Sequence, residues 1–377
     1  LILIISILIF LSLLYPYRAP SAQEQTPLHP SSGKLNTNLI GSLLPLSGEY
    51  ESVGRKALRG ILAATDTING QLGFQVVVKD SGGSIEETRK ALEEMVREDG
   101  VSLVVGPIPS GLIDEVNGTI KSLQIPTLVF PISNRGIPHN AYLIKFSYNI
   151  EEQAQVLARY AIGVIGIKTF GVLNPRNQLG ERFKETFIKS VKALGGDLTY
   201  AGSYELGLGN IWTEIEWLNS IHPQAIFIPD GATRSAEVVK MLKKRLTLGN
   251  VLFLGPSTWN SDSFLRAIGN EIDGTVFNVL FTDFFFPGSD GWVDFSDRFD
   301  YAFGERPDSP LEYQVYEAVK LILEALKDPV GSEHIMERLL ASDNQRFEIT
   351  KSRSEGLEIT PRPLLLTIKD GNINEIR

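Results

Sequence analysis

From Thr37 onward, short continuous apolar runs alternate with stretches whose apolar residues recur every three or four positions. The runs "LIGSLLPL" (39–46), "FQVVVKD" (74–80), "VSLVVGP" (101–107), "TFGVLN" (169–174), "AIFIPD" (225–230) and "VLFLGP" (251–256) read as strands. Residues 55–69, 84–99, 112–124, 181–196, 235–246 and 263–271 read as helices between them. Ser84 is placed to cap the second of these, with acids in its first turn. Continuous apolar strands separated by helices predict an α/β fold: doubly wound parallel sheets covered on both faces. Right-handed crossovers then put every strand's C-terminal end on one edge, where ligands bind near the switch in strand order. The later chain breaks the rhythm. "GTVFNVLFTDFFFPGSDGW" (274–292) reads as a passage from one unit back to another, and "PLEYQVYEAVKLILEALKD" (310–328) as a strong amphipathic helix. "GLEITPRPLLLTIKDGNINEIR" (356–377) reads as a β ending that turns at Asp370–Gly371.

A chain of 377 residues exceeds one typical core and suggests two domains. Its 43% hydrophobic and 21% charged residues are ordinary for a globular protein. A net charge of −9 leaves no basic field to draw in nucleic acid, and that class is excluded. The absence of cysteine removes disulfides, thiolate catalysis and cysteine–metal sites from these residues, and the expectation is no lipobox anchor. The opening "LILIISILIFLSLLYPYRAP" suits the apolar region of an export signal and is short for a bilayer span of about 20 residues. The expectation is a signal peptide over 1–22 and a Pro/Ser/Thr-rich linker over 23–38, with contact to a membrane only if that first segment is retained. The mature protein is then periplasmic.

Catalytic signatures are weak. The four histidines are scattered and none has a partner at metal-ligand spacing. A Gly-x-Ser-x-Gly elbow is absent, and neither "GIKT" at Gly166 nor "GLGN" at Gly207 has the glycine spacing of a nucleotide loop. The expectation is no enzyme, no metal and no cofactor. The ends of the strands carry the better signal. "LSGEYESVG", "VVGPIPSG" and "VFPISNRG" in the first half, and "LNPRNQLG", "IPDGAT" and "LGPSTWN" in the second, are small, polar and rich in Gly or Pro. Small residues let backbone N–H groups approach a ligand, and hydroxyls supply rotatable hydrogen bonds. A helix beginning just after Ser110 aims its positive end at that point. Any one such loop is equally well an ordinary turn; two sets of three facing one another make a cleft. Tyr50, Tyr148 and Trp259 lie near these ends and are candidates either for its walls or for simple packing. Asn117-Gly118-Thr119 matches a glycosylation sequon inside a predicted helix and is discounted.

"IGSLLPLSGEYESVGRKALRGILAA", "VSLVVGPIPSGLIDEVN" and "IPTLVFPISN", in that order, resemble the type I periplasmic binding proteins, in particular their leucine/isoleucine/valine-binding members. "FSDRFDYAFGERPDSPLEYQVYEAVKLI" resembles the family's later Tyr-rich helix. The likeness runs over nearly the whole chain after residue 38. It implies two doubly wound lobes joined by a three-crossover hinge, closing on a small ligand, with lobe 1 formed by 39–147 plus 278–330 and lobe 2 by 148–277 plus 331–377. It also implies a pocket. In it Ser110 and Ser133 take a ligand carboxylate, assisted by backbone at Pro109 and Ile132; Ser47, Asn134 and Ser257, from the other strand-end loops, are expected to line the same pocket.

On the second lobe's side the sequence departs from its relatives. Leu179 stands where they carry tyrosine, and Ser257 where they carry the acid that takes the ligand ammonium. Asp230 is the acid left nearby for that task. The implied partners are a small amino-acid-like molecule and an ABC permease or sensor. The opening also resembles the penicillin-binding-protein activators, which use this fold as a binding module in the envelope. That resemblance implies a cell-wall synthase as partner and a vestigial cleft.

Overall fold

The computed structural model describes residues 36–65, 73–82, 84–106, 111–131, 137–245, 251–269, 279–307, 309–326, 334–351 and 356–376. The apolar runs are strands because both of their faces are covered. Every residue of β3 (Val101–Val105), β4 (Thr127–Val129), β5 (Leu143–Phe146), β8 (Ala225–Phe227), β9 (Leu252–Gly255) and β10 (Val279–Asp283) is buried. With β1 (Asn36–Leu44), β2 (Gln75–Asp80), β11 (Phe347–Lys351) and β12 (Leu357–Pro361), the first three form a seven-stranded sheet of order β11-β12-β5-β4-β3-β1-β2. The others join β6 (Thr169–Pro175), β7 (Asp197–Tyr204), β13 (Leu364–Lys369) and β14 (Asn372–Glu375) in a second, of order β14-β13-β10-β9-β8-β6-β7. The first five strands of each sheet follow the same path. In each, the first strand lies between the second and the third, and the switch in strand order falls beside it: between β1 and β3, and between β6 and β8.

Helices cover both faces of each sheet. In lobe 1, α1 (Glu51–Thr65) lies against α10 (Pro310–Leu326), with α9 (Asp290–Phe303) and α11 (Ile335–Ala341) beside them; α2 (Ile85–Arg97) and α3 (Gly111–Leu123) take the other face. In lobe 2, α4 (Ile150–Tyr160) and α5 (Gln178–Ala193) cover one face; α6 (Ile211–Ile221), α7 (Ala232–Arg245) and α8 (Asp262–Ile268) cover the other. The caps follow the sequence: Ser84 Oγ accepts from Glu87 N at 3.2 Å, and Asn149 Oδ1 from Glu152 N at 3.0 Å. Helix α1 starts at Glu51, ahead of the expected Arg55. The amphipathic helix expected over 310–328 is buried more completely than an amphipathic stripe requires. It carries two glutamates inside, Glu312 at 0% and Glu317 at 2% exposure. Glu317 is ion-paired with Arg346 at 2.7 Å and Glu312 with Arg59 at 3.4 Å.

The chain passes between the lobes three times: from β5 into α4 at 147–149, from β10 into α9 at 284–289, and from β12 into β13 at 362–363. Strand pairing moves two of the expected boundaries. β10, expected at the start of lobe 1's second piece, pairs with β9 and belongs to lobe 2. α11, β11 and β12, expected in lobe 2, belong to lobe 1: β12 pairs with β5, and Ile335, Leu339, Phe347, Leu357 and Ile359 sit in its core. The continuous run 356–377 disguised this, because its two halves are strands of different sheets. The anticipated turn at Asp370–Gly371 joins β13 to β14, with both residues at positive φ (51° and 73°), as a tight two-residue hairpin requires. The expected signal peptide, and the linker up to residue 35, lie outside the described residues; 36–38 already belong to β1.

Candidate functional site

The strand ends of both sheets begin alike. β1 ends at Leu44, just before Pro45, and β6 ends at Pro175, and each is followed by a helix whose first turns press a glycine onto that proline's carbonyl. A Cβ on Gly54 would lie 2.0 Å from Pro45 O, and one on Gly180 would lie 2.4 Å from Pro175 O. Neither backbone oxygen can move aside, so glycine at these positions is a packing requirement. It brings each helix onto the mouth of its own sheet.

In lobe 1, Ser47 sits exposed in the loop after β1. Its partner is Asp80, at the end of β2, which also accepts from Leu46 N at 2.7 Å and Gly82 N at 2.8 Å. Burial alone would raise the Asp80 carboxyl. Hydrogen bonds from the Ser47 hydroxyl and from the N–H groups of Gly82, Leu46 and Ser47 outweigh it and hold the carboxyl below its usual range. Leu46 and Ser47 of the β1 loop and Gly82 of the β2 loop therefore close around one ionised carboxylate. Pro109, Ser110, Ile132, Ser133 and Asn134 lie outside the described residues; α3 does start at Gly111, immediately after Ser110.

In lobe 2, Asp230 and Ser257 come together. The Thr258 hydroxyl donates to Asp230 O at 2.7 Å, joining the loop after β8 to the loop after β9. The Asp230 side chain is only 4% exposed. Its carboxylate accepts from Tyr204 Oη at 2.6 Å, from Gly231 N at 2.7 Å, and from both Nε and Nη2 of Arg234, the latter at 2.7 Å. The acid expected to meet a ligand's cation thus meets a cation of the chain itself, one helical turn further on. The pair was visible in the sequence as an acid four residues ahead of an arginine at a helix start. Burial raises the Tyr204 phenol, and the neighbouring Asp230 carboxylate raises it further, so it stays a donor. Leu179 is 45% exposed on the first turn of α5. Trp259 walls nothing: it is fully buried and stacked on Phe264 at 4.6 Å. Tyr50 is 38% exposed.

Ser257 also reaches the hinge. Its N–H donates to Gln153 Oε1 at 2.9 Å, and Gln153 Nε2 donates to Tyr148 O at 3.0 Å. Tyr148 is the centre of the hinge. The Thr282 hydroxyl donates to Leu364 O at 2.9 Å, which leaves its oxygen to accept from the Tyr148 hydroxyl. One relay therefore links the first crossing (Tyr148), the strand leading into the second (Thr282) and the strand leaving the third (Leu364). Asp283, 1% exposed, lies beside it and accepts from Asn260 Nδ2 at 3.0 Å and Phe284 N at 2.8 Å. Burial pushes its carboxyl up to about 7. Phe284 and Phe285 pack into lobe 1 and Phe286 against lobe 2, as a crossing segment must. This hinge was only partly legible: the triple phenylalanine pointed to it, whereas Thr282 and Gln153 carry no pattern of their own.

Among the described residues no group of His, Cys, Asp or Glu is arranged to hold a metal ion, and no helix is long and apolar enough to cross a membrane. Two lobes alike through their first five strands and joined by three crossings make a two-lobed α/β fold. Residues 39–340 match the sequence profile described as "Periplasmic binding protein", and the chain belongs to that family. It is 33% identical over 204 residues to a penicillin-binding protein activator, LpoA, of Edwardsiella ictaluri, a match covering 50% of this chain and 28% of the activator. The chain thus spans under a third of the length of the first curated relatives it matches. It is 24% identical over 335 residues to a Leu/Ile/Val-binding protein homolog of Brucella abortus, covering 78% of this chain and 77% of the relative. A solved structure assigned to a branched-chain amino acid ABC transporter of Rhodospirillum rubrum superposes with a TM-score of 0.75 at 19% identity, over 90% of this chain and 99% of that one. At that identity the likeness speaks for the fold alone.

Proposed function

We propose that this protein is an exported solute-binding protein. It captures a small polar ligand between its lobes and presents it to an ABC permease or a sensor, without catalysis. The observation that carries this reading is the duplicated switch point: two sheets alike through five strands, each with a helix glycine pressed onto the proline carbonyl at its mouth, held by crossings that all leave at that edge. Such a frame supports hinge closure over a ligand. On this reading Ser110 and Ser133, with backbone at Pro109 and Ile132, take a ligand carboxylate; Ser47 and Asn134 line the same side, and Ser257 the opposite one. Thermal-shift screening with small organic acids and amino acids tests it: a ligand at 100 times its Kd stabilises by about 2.7 kcal/mol. Calorimetry on Ser110→Ala should show weaker binding with the fold intact. A panel without any shift in melting temperature overturns the reading.

A second reading is favoured by the 33% identity to the activator. Here the cleft is vestigial and an outer surface binds a cell-wall synthase in the periplasm. Stimulation of a purified penicillin-binding protein by this chain, with no small-molecule shift, would establish it.

A further inference from the structure

We infer that the first crossing is a pH-sensitive hinge governed by Glu152. A proton on Glu152 holds the lobes as they stand here, and its loss drives α4 of lobe 2 away from the outer strands of the lobe 1 sheet. The response goes beyond solute capture and needs no ligand.

The strand pattern explains why acids gather here. β5, β11 and β12 turn Ile144, Phe146, Phe347, Leu357 and Ile359 into the lobe 1 core. Side chains alternate along a strand, so Lys145, Glu348 and Glu358 share the opposite face. Lys145 and Glu358 are register partners, and Glu348 lies opposite Thr360, two residues beyond Glu358. The first crossing ties this face to lobe 2. Ser147 N donates to Ile359 O at 3.1 Å and Ser147 Oγ to Glu358 Oε1 at 3.3 Å. Two residues on, Asn149 caps α4 by accepting from Glu152 N at 3.0 Å. Glu152, half-buried in the first turn of α4, thus comes within range of two carboxylates of the other lobe. Burial and the charges of Glu348 and Glu358 push its carboxyl up to about 7, against the pull of Arg159 on its own helix. The charge of Lys145 acts with Glu358 beside it. The crossing brings the Tyr148 phenol, and α4 also carries Glu151 and Tyr160. Lys351 lies at the far end of β11, and Arg362 is exposed just after β12. Within lobe 2, β10 brings Asp283, held by Asn260 and Phe284 N; α5 brings Arg182 and the pair Glu181–Lys184.

An arrangement that parts Glu152 from Glu348 and Glu358 returns its carboxyl toward the ordinary value of about 4. Between that value and about 7 it binds fewer protons than the arrangement seen here. Rising pH therefore favours the parted arrangement, by at most about tenfold per pH unit for one proton, and the response levels off above neutrality.

Energy transfer between dyes on the two lobes tests this. The chain carries no cysteine, so Val164→Cys in lobe 2 and Tyr301→Cys in lobe 1, at side chains 67% and 76% exposed, place one dye each. In the unliganded protein the transfer should change as pH rises from about 5 to about 7 and then level off. Glu152→Gln should fix it at its acidic value at every pH. Glu348→Gln, which removes one facing charge, should move the levelling point to lower pH. Asp283→Asn takes away the other raised carboxyl of the hinge and should leave the response in place. Melting temperatures at acidic pH check that each variant keeps its fold. Transfer independent of pH before any Glu152 substitution overturns the assignment. So does a response that survives Glu152→Gln, ignores Glu348→Gln or disappears with Asp283→Asn.

Discussion

The two lobes follow the same path through their first five strands and part at the sixth. β12 runs parallel to β5, whereas β13 runs antiparallel to β10. The hinge explains it. All three crossings leave from the edge where the parallel strands end. A strand that delivers the chain to that edge must be parallel to its sheet, and one that receives the chain there must run the other way. The lobes differ as well in where they bury charge. Lobe 1 encloses Glu312 and Glu317 on α10, beside an aromatic cluster, and pairs them with the partly exposed Arg59 and Arg346. Lobe 2 encloses Asp230 at the end of β8 and pairs it with Arg234, whose exposure lies between those of Arg59 and Arg346. In both lobes the carboxylate is the buried member of the pair and the arginine the more exposed one; the difference is place, within a core helix in lobe 1 and at the end of a strand in lobe 2.

The sharpest way to break this contrast is to remove the arginine from each pair. Arg346→Met strands Glu317, whose carboxyl burial already raises, and also takes a hydrogen bond from Tyr313, made at 2.7 Å. A loss of about 3 kcal/mol is expected, a drop in melting temperature on the order of 6 °C. Arg234→Gln should cost less stability, since Tyr204 and Gly231 still donate to Asp230. Equal losses would make both pairs structural.

Next in size is the feature the lobes share. Gly54→Ala and Gly180→Ala each drive a methyl into a proline carbonyl and should cost about 1–3 kcal/mol. Denaturant midpoints measure it, and similar costs at the two sites are expected if the mouths are built alike.

The pH dependence separates lobe from hinge. Unfolded Asp and Glu titrate near 4, while folded Asp283 and Glu152 titrate at about 7. Burial is the main cause in both, with Glu348 and Glu358 adding to it for Glu152. Between those values the native state holds more protons than the unfolded one. Their contribution to stability is therefore present below about pH 4 and is lost as the pH rises through 7. Melting temperature should fall by on the order of 5 °C between pH 5 and 8 from these groups, and Asp283→Asn should remove much of that slope.

The smallest effect is expected at the relay. Tyr148→Phe deletes one hydrogen bond, about 1 kcal/mol, without emptying the aromatic site against Phe284. On the proposed closure, ligand dissociation measured by stopped flow should change more than the melting temperature does, because the bond joins the crossings about which the lobes would close.

Much of the frame was legible along the chain. The runs 101–105, 225–227 and 252–255 are continuous apolar strands because both faces are covered, and Ser84 caps its helix as read. The edge strand β7, of mixed polarity, and helix α6, which exposes Trp212 and Trp217, escaped notice because half-buried elements lack that signature. In the site, Asp230 and Ser257 were singled out and do lie on joined loops. The partner that occupies Asp230 was missed, although it stands only four residues away.

Local sequence determined the elements, their caps and turns, and the loops at the strand ends, because these depend on periodicity and on residues within one helical turn of each other. Tertiary structure alone decided which sheet receives β10, β11 and β12, and how Tyr148, Thr282 and Leu364 join three distant segments. It also decided whether the carboxylate of Asp230 faces a ligand or an arginine. Those outcomes depend on which groups meet after the sheets have formed and water has left, and spacing along a chain does not encode that.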